Sequence, residues 1–328
     1  MLATHLDKRV CTPEVEQIAN RIGYGEGLLV AGEKDERVVA LCADLTGSTK
    51  TNMFADAFPE RFVQCGVAEQ NMASVASGMA AMGKVPFIAS YAMFSPGRNW
   101  EQVRTTIAYN DANVKIIGAH AGVSVGPDGA THQAIEDIAI MRVMPNMIVL
   151  APCDAIEAKK ATLAAAAHTG PVYIRIAREK TPVVTTQESP FEIGKAEVFL
   201  EKEPAHEKTV GIIVTGTLVH HALLAAKTLN EESIGVSVLH MGTIKPLDTK
   251  SLDAFAAAHD FLVTVEEHQV AGGLGSAVAE HVSATNPKRI IRIGVQDSFG
   301  ESGEAEELIA HFGMDSESII EAVRNAVN

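Results

Sequence analysis

Residues 114–133, VKIIGAHAGVSVGPDGATHQ, join a short apolar run to a loop that is rich in glycine. Such a run is typical of a buried strand, and the glycines and proline that follow predict its end. The loop carries His120, Asp128 and His132. Because open α/β sheets bind ligands beyond the carboxyl ends of their strands, this segment predicts a sheet edge with a site on it.

The same alternation of apolar runs and helical stretches extends through the first half of the chain. Further strands are predicted at 37–44, 85–90, 147–152 and 172–177, and helices at 68–82, 98–109, 133–143 and 154–168. Thr12 and Pro13 are a typical N-cap and first-turn pair, so they predict a first helix that reaches about Gly32. The alternation predicts an α/β fold in which helices cover both faces of a mostly parallel sheet.

A second series of strands and helices follows a break in the pattern. Residues 181–209 are rich in Pro, Thr and Glu and are interpreted as a linker with an entering strand. Beyond them the runs TVGIIVTG, IGVSVLH, FLVTVEE and RIIRIGV alternate again with helical stretches. The 328 residues therefore predict two α/β domains, each a mostly parallel sheet flanked by helices, with bounds 1–188 and 189–328.

Composition excludes several classes of partner. Lys and Arg number 27 against 41 Asp and Glu, and the net charge of −14 argues against binding to nucleic acid or to an anionic membrane. The four cysteines form no C-x-x-C pair, so no metal site is predicted in this chain. The N-terminus lacks an apolar signal core and no run resembles a membrane span, which predicts a cytoplasmic protein.

Several residues have both a structural and a functional interpretation. Glu69 begins an otherwise apolar helix, where it either interacts with the helix dipole or, if buried, shares a proton with a ligand heterocycle. Tyr91 and Phe94 either fill the core or stack on a planar ligand. Asp128 either belongs to a turn or contacts a ligand, and Arg178 is either a solvated cation or an anion anchor.

Five segments resemble the transketolase family of thiamine diphosphate enzymes in order and spacing. They are RFVQCGVAEQNM (61–72), GAHAGVSVGPDGATHQAIEDIA (118–139), MPNMIVLAPCDAIEA (144–158), TIKPLD (243–248) and FLVTVEEHQVAGGLGSAVAE (261–280). The resemblance covers the pyrimidine-binding and C-terminal domains of such enzymes. The family's G-D-G motif, which belongs to the domain that holds the cofactor's diphosphate, does not occur here.

The resemblance therefore implies the C-terminal half of a split transketolase. A separate subunit would carry the diphosphate-binding domain together with its Mg²⁺ or Ca²⁺ ion. The chain begins only a short way before the pyrimidine-binding domain. We therefore expect the diphosphate-binding domain to be on another polypeptide. Because active sites of the family form across paired subunits, we expect a heterotetramer of two plus two chains.

The resemblance also assigns residues to the cofactor and to the reacting sugar. Glu69 matches the acid that hydrogen-bonds the pyrimidine ring of thiamine diphosphate, and His132 matches a second catalytic residue near the reacting oxygens. Phe94 matches the ring that stacks on the pyrimidine, Tyr91 lines the same pocket, and Asp44 is a further cofactor-binding candidate.

Five further residues are assigned to the substrate by the same resemblance. Asp128 matches the acid that recognises a sugar hydroxyl. Ser48, His120 and Arg178 fall where transketolases bind the anionic end of the sugar, and Arg98 is a fifth candidate. The anionic end is a phosphate or a sulfonate, since both are tetrahedral oxyanions.

The implied activity is transfer of a two-carbon ketol unit from a ketose phosphate to an aldose phosphate. The alternatives are half of a 1-deoxyxylulose-5-phosphate synthase-like enzyme, a beta subunit of a 2-oxo acid dehydrogenase, and a non-catalytic scaffold half. His120 favours transketolase over the synthase, and the run from Gly126 to Gln133 favours it over the dehydrogenase subunit. Glu69 and His132 count against the scaffold.

Overall fold

The computed structural model describes residues 1–202 and 208–327. Their strands are β1 (Gln17–Ala19), β2 (Val38–Cys42), β3 (Phe62–Gln64), β4 (Val85–Tyr91), β5 (Lys115–Ala119), β6 (Ile148–Leu150), β7 (Val172–Ile176), β8 (Lys180–Pro182), β9 (Glu197–Leu200), β10 (Thr209–Val214), β11 (Gly235–His240), β12 (Thr243–Lys245), β13 (Phe261–Gln269) and β14 (Ile290–Val295). Their helices are α1 (Asn20–Lys34), α2 (Thr46–Thr49), α3 (Asn52–Ala57), α4 (Glu69–Ala81), α5 (Trp100–Gln102), α6 (Asp137–Arg142), α7 (Ala155–Ala167), α8 (Val219–Glu231), α9 (Thr249–Ala257), α10 (Leu274–Thr285), α11 (Ala305–His311) and α12 (Ser316–Val327).

Two mostly parallel sheets organise these elements. The seven-stranded sheet has the order β12-β6-β7-β5-β4-β2-β3, and within it only β12 runs antiparallel to its neighbour. The five-stranded sheet has the order β14-β13-β10-β11-β9, with β9 antiparallel at one edge. Parallel neighbours need crossover connections, and helices supply them here. The predicted fold class is confirmed.

Apolar clusters cover both faces of the seven-stranded sheet. One face packs against α4, with Met72 and Ile88 at its centre, and the other packs against α1 and α7 around Tyr24 and Phe87. A Cβ atom at Gly23 of α1 would lie 1.8 Å from the Ala155 carbonyl oxygen at the start of α7. Glycine in this helix therefore allows two backbones to approach closely.

The first helix begins later than the sequence predicts. Helix α1 starts at Asn20, and the Thr12 hydroxyl donates to the Arg9 carbonyl oxygen instead of capping a helix. Residues 17–19 form β1, which pairs antiparallel with β8, and this pairing removes them from any helix. The predicted Thr12-Pro13 start is wrong because a local capping pattern does not reveal a pairing partner more than 160 residues away.

Two other predicted helices are shorter than expected. Residues 98–109 divide into α5 and a π-helical turn at Val103–Ala108. Residues 133–136 do not join α6, because Ala134 forms a parallel bridge with Ala121. Among the described helices, none combines the length and the apolar character needed to cross a membrane.

The two halves of the chain share the seven-stranded sheet. Strand β12, which follows β11 of the second sheet, pairs with β6 of the first. The predicted linker at 181–209 contains β8 and β9, and its residues 203–207 lie outside the described part of the chain. The sheet on which the sequence predicts the site therefore includes one strand, β12, from the second half of the chain.

A buried ion pair also joins the halves. His240 at the end of β11 places Nε2 2.9 Å from both carboxylate oxygens of Glu157 in α7, and both residues are buried. Burial disfavours the charged imidazole, but the charge and hydrogen bonds of Glu157 raise the pKa of His240 above its ordinary value. Cys153 lies in the same cluster, and its backbone N–H donates to Glu157.

Replacing His240 with leucine should destabilise the fold strongly. The variant leaves the Glu157 carboxylate buried without its partner, so the free energy of unfolding should fall by about 3–5 kcal/mol in urea denaturation. The matched control is Glu280→Gln, which breaks the surface ion pair with Arg142 between the same halves and should change stability by about 1 kcal/mol or less. Equal losses in the two variants would contradict the role of the buried pair.

Candidate active site

The carboxyl ends of parallel strands place the candidate residues on one edge of the seven-stranded sheet. Asp44 follows β2, Tyr91 ends β4, His120 follows β5 and Arg178 follows β7. Glu69 is the first residue of α4, the helix after β3. Residues that are far apart in the sequence therefore meet because their strands run in the same direction.

Four rings form a compact cluster at this edge. Tyr91 stacks on His120 with ring centroids 4.0 Å apart and on Phe94 at 6.1 Å. His132 presents an edge to Phe94 at 5.5 Å and to Tyr91 at 6.2 Å. The structure thus brings together two residues that the sequence analysis assigned to the cofactor and two that it assigned to the sugar.

His120 enters this cluster as a neutral group. Burial, and secondarily the positive charges of Arg21 and Arg178, lowers its pKa to about 3. Its backbone adopts a φ of 54°, and its Nδ1 has no hydrogen-bond partner among the described residues. A neutral imidazole has one donor and one acceptor nitrogen, so His120 offers hydrogen bonds instead of charge at neutral pH.

Glu69 lies beside the cluster as a buried carboxylate. Its side chain is 1% exposed, and Oε2 accepts a hydrogen bond from Arg98 at 2.7 Å. The Arg98 guanidinium carbon also lies 4.7 Å from the centroid of the Phe94 ring. Asn99 donates to the Glu69 carbonyl oxygen at 3.1 Å, which fixes the first turn of α4. Arg98, predicted to contact substrate, is therefore placed next to the two principal cofactor candidates.

A second group of side chains, which includes Arg21, Pro127 and Arg178, lines an open cleft of about 550 Å³. Arg178 donates to the Val125 carbonyl oxygen, and its Nη1 is 3.6 Å from the Asp128 carboxylate. Arg21 lines the same cleft and donates to the Ser48 carbonyl oxygen at 3.0 Å. The cleft thus gathers two guanidinium groups close to two predicted substrate residues, Asp128 and Ser48.

Arg21 is a candidate that the sequence analysis missed. It occupies the first turn of α1, where the helix dipole disfavours a cation. An arginine in the first turn of a helix is unusual and could have indicated a functional residue. The sequence, however, predicts a helix start at Thr12, and Arg21 then falls in the middle of the predicted helix, where it does not stand out.

Asp44 and Ser48 lie at the periphery of the site. Asp44 is exposed, adopts a φ of 60° and donates its backbone N–H to the Gln64 side chain at 2.9 Å. Ser48 in α2 is half-buried, and its recorded contact with Arg21 is made by the backbone. Their assignment to cofactor and substrate stays a prediction.

Comparisons with known proteins match both halves of the chain. The sequence profile of the transketolase pyrimidine binding domain matches residues 16–183, and that of the transketolase C-terminal domain matches residues 200–319. This chain belongs to the transketolase family. The expected family and its two domains are thereby confirmed.

Individual relatives agree with this transketolase assignment. A "Putative transketolase C-terminal section" from Methanocaldococcus jannaschii is 46% identical over 306 residues, which cover 92% of this chain and 94% of the relative. A 6-deoxy-6-sulfo-D-fructose transketolase subunit from Clostridium sp. (strain MSTE9) is 39% identical, with 91% of each chain covered. A solved structure of a split gene transketolase, an inactive beta4 tetramer, superposes with a TM-score of 0.86 at 42% identity, covering 94% of this chain and 98% of the other.

The transketolase family implies thiamine diphosphate, and the residues present fit its aminopyrimidine ring. Such a ring needs a carboxyl group for its ring nitrogen and a flat apolar surface for its face. Glu69 provides a buried carboxyl, Phe94 provides an aromatic surface, and Arg98 contacts both. The chemistry of these side chains therefore suits the pyrimidine half of the cofactor.

The neutral state of His120 is directly measurable. We expect its ring ¹⁵N chemical shifts to stay constant between pH 5 and pH 8, because its pKa of about 3 lies well below that range. The measurement is a long-range ¹H–¹⁵N spectrum, with the His120→Asn variant used to assign the signal. A titration of this signal centred near pH 6.5 would contradict the expectation.

Proposed function

We propose that this chain is the C-terminal half of a split transketolase that transfers a two-carbon ketol unit from a ketose phosphate to an aldose phosphate. The observation that carries the proposal is the buried Glu69 carboxylate beside a cluster of rings that includes His120 and His132. The same edge of the sheet thereby combines the Glu69 carboxyl, which suits the cofactor, with groups that suit a sugar. The geometry supports ketol transfer over a purely structural role.

Glu69 is the proposed proton-sharing group for the cofactor. When bound, thiamine diphosphate supplies the carbanion that attacks the ketose carbonyl carbon. The Glu69 carboxyl would share a proton with the pyrimidine ring nitrogen and hold that ring in orientation against Phe94. Its burial favours this role because a hydrogen bond is stronger where water is excluded.

The proposed sugar-binding residues are the two histidines of the ring cluster together with Asp128, Arg178 and Arg21. His132 would move a proton to or from the reacting oxygen, and Asp128 would accept a hydrogen bond from a sugar hydroxyl. Arg178 and Arg21 would bind the anionic end, with neutral His120 adding a hydrogen bond. The sulfo-sugar transketolase subunit among the relatives supports considering a sulfonate beside a phosphate as that anion.

The proposed enzyme requires a partner subunit. This partner would hold the diphosphate group and its Mg²⁺ or Ca²⁺ ion, in a heterotetramer of two plus two chains. Large apolar side chains are exposed at both ends of α4, with Val67 72% and Met82 85% exposed. Because α4 begins at Glu69, a subunit bound along this helix would lie next to the part of the site that contains the buried Glu69 carboxyl.

Replacing Glu69 with glutamine should abolish most ketol transfer. The amide cannot share a carboxyl proton with the ring nitrogen, so we expect kcat to fall by about 10²–10⁴-fold. The measurement is steady-state ketol transfer by the assembled enzyme, with folding checked by thermal denaturation. The exposed Glu60→Gln is the matched control and should retain wild-type activity. A Glu69→Gln enzyme with near wild-type turnover would contradict the proposed role.

Assembly with a partner distinguishes the proposed activity from its alternatives. The chain should co-purify with a subunit that carries the diphosphate-binding domain, and the complex with thiamine diphosphate and Mg²⁺ should transfer ketol units between sugar phosphates. Cofactor binding that appears only in the mixture would support the split enzyme. Consumption of pyruvate without ketol transfer would instead indicate one of the two pyruvate-using alternatives, and a mixture that never binds cofactor would indicate the scaffold.

A further inference from the structure

The loop that carries the proposed sugar-binding residues has little regular secondary structure of its own. This site loop, residues 120–133, contains His120, Asp128 and His132. Gly122, Gly126 and Gly129 have φ values of 89°, 79° and 74°, and only short 3₁₀ turns lie between them. The backbone hydrogen bonds within the loop are confined to short turns, so contacts from other segments can set how these turns are placed.

Glu267, in β13 of the second half, provides one such contact. Its side chain is buried, and Oε1 accepts the backbone N–H of Ser124 at 2.6 Å. Thr217 lies 3.5 Å from the other carboxylate oxygen. A Cβ atom at Gly122 would lie 2.2 Å from Oε1, so this glycine is required for the loop to approach the carboxylate.

A second contact ties the end of the site loop to the second half. Gln133 is buried, and its Nε2 donates to the carbonyl oxygens of Val123 and Gly126 within the loop. The same amide nitrogen lies 2.9 Å from the Glu301 carbonyl oxygen. One side chain therefore shapes the loop and attaches it to the segment that leads into α11.

The strand that bears Glu267 is itself fastened to the first half. Arg175 donates from Nη2 to the Glu267 carbonyl oxygen at 2.7 Å and from Nε to the Asp137 carboxylate at 2.9 Å. Burial raises the pKa of Glu267, whereas the charge of Arg175 and the Ser124 N–H act in the opposite direction. Burial of this carboxylate thus costs desolvation free energy, which the nearby Arg175 and the Ser124 N–H partly offset.

We propose that the second half of the chain holds the site loop in its working conformation, with Glu267 as a positioning residue and the Gln133–Glu301 contact as a second tie. The proposal rests on the proposed ketol transfer, because it concerns how the sugar-binding groups of that reaction are placed. Glu267 would not touch substrate or cofactor. It would act through the Ser124 backbone on the placement of Asp128 and His132.

The test compares Glu267→Ala with Glu267→Gln in the assembled enzyme. Alanine removes the acceptor of the Ser124 N–H, and we expect kcat/KM for ketol transfer to fall by roughly 10- to 100-fold because small misplacements of reacting groups are costly. Glutamine keeps an acceptor oxygen at the same length and should restore most of the activity. Affinity for thiamine diphosphate should stay within about threefold of wild type in both variants, because Glu69 and Phe94 lie outside the loop.

Hydrogen exchange on the isolated chain provides a readout that does not depend on activity. In Glu267→Ala, amides of residues 122–129 should exchange at least about tenfold faster, while those of α4 keep their wild-type protection. Glu280→Gln, which breaks a surface contact between the same halves, is the matched control and should change neither readout. If Glu267→Ala does not fold, Gln133→Met tests the second tie with the same two readouts, because it removes the donor to Val123, Gly126 and Glu301.

The outcomes separate this proposal from the proposed function. Absence of ketol transfer in the wild-type complex would contradict the function, and hydrogen exchange would still test the tie to the loop. Wild-type kcat/KM together with unchanged loop exchange in Glu267→Ala would overturn the positioning role. Uniformly faster exchange with loss of cofactor affinity would also overturn it, because it would show a general loss of stability.

Discussion

The parallel pairing of β2, β4, β5 and β7 is the constraint on which the candidate site depends. Parallel strands end at the same edge of the sheet, so the residues that follow each strand lie close together as a direct result of the pairing. Tyr91 and His120 end neighbouring strands, and their rings consequently stack at 4.0 Å. The register of these two strands places Tyr91 opposite Ala119, the residue before His120. A slip of one residue would separate these rings.

The second half of the chain completes this arrangement through buried polar contacts. Successive side chains on a strand point to opposite faces, so the adjacent acids Glu266 and Glu267 of β13 contact different parts of the molecule. Glu266 accepts the backbone N–H groups of Leu274 and Gly275 at the start of α10, whereas Glu267 accepts that of Ser124 in the site loop. The first acid stabilises its own domain and the second reaches across to the other.

The apolar runs predict most strands and the fold class, because burial on both faces leaves a strong local signal. The helices at 68–82 and 154–168 were also predicted to within about one residue of α4 and α7. Features that depend on distant partners were not predictable in this way. The pairing of β1 with β8 displaced the first helix start, and the Arg98–Glu69 contact joins side chains from separate elements. The Gly-rich loop after a strand indicated His120, Asp128 and His132, and the resemblance to transketolases assigned the other site residues. Arg21 could be found only from the correct helix start.

The proposed binding of an anion at this edge would depend on local charge and not on the charge of the whole chain. The net charge of −14 opposes anionic ligands at long range, but at physiological salt such fields are screened beyond about 8 Å. Within the cleft, Arg21, Arg178 and Lys180 are accompanied by Glu179, Glu304 and Glu306. Arg178 already interacts with Asp128 and Glu179, so a bound oxyanion must compete with these carboxylates for the guanidinium group. Since His120 is neutral, recognition of an anionic end would rest on how well a tetrahedral oxyanion replaces the carboxylates that Arg178 contacts.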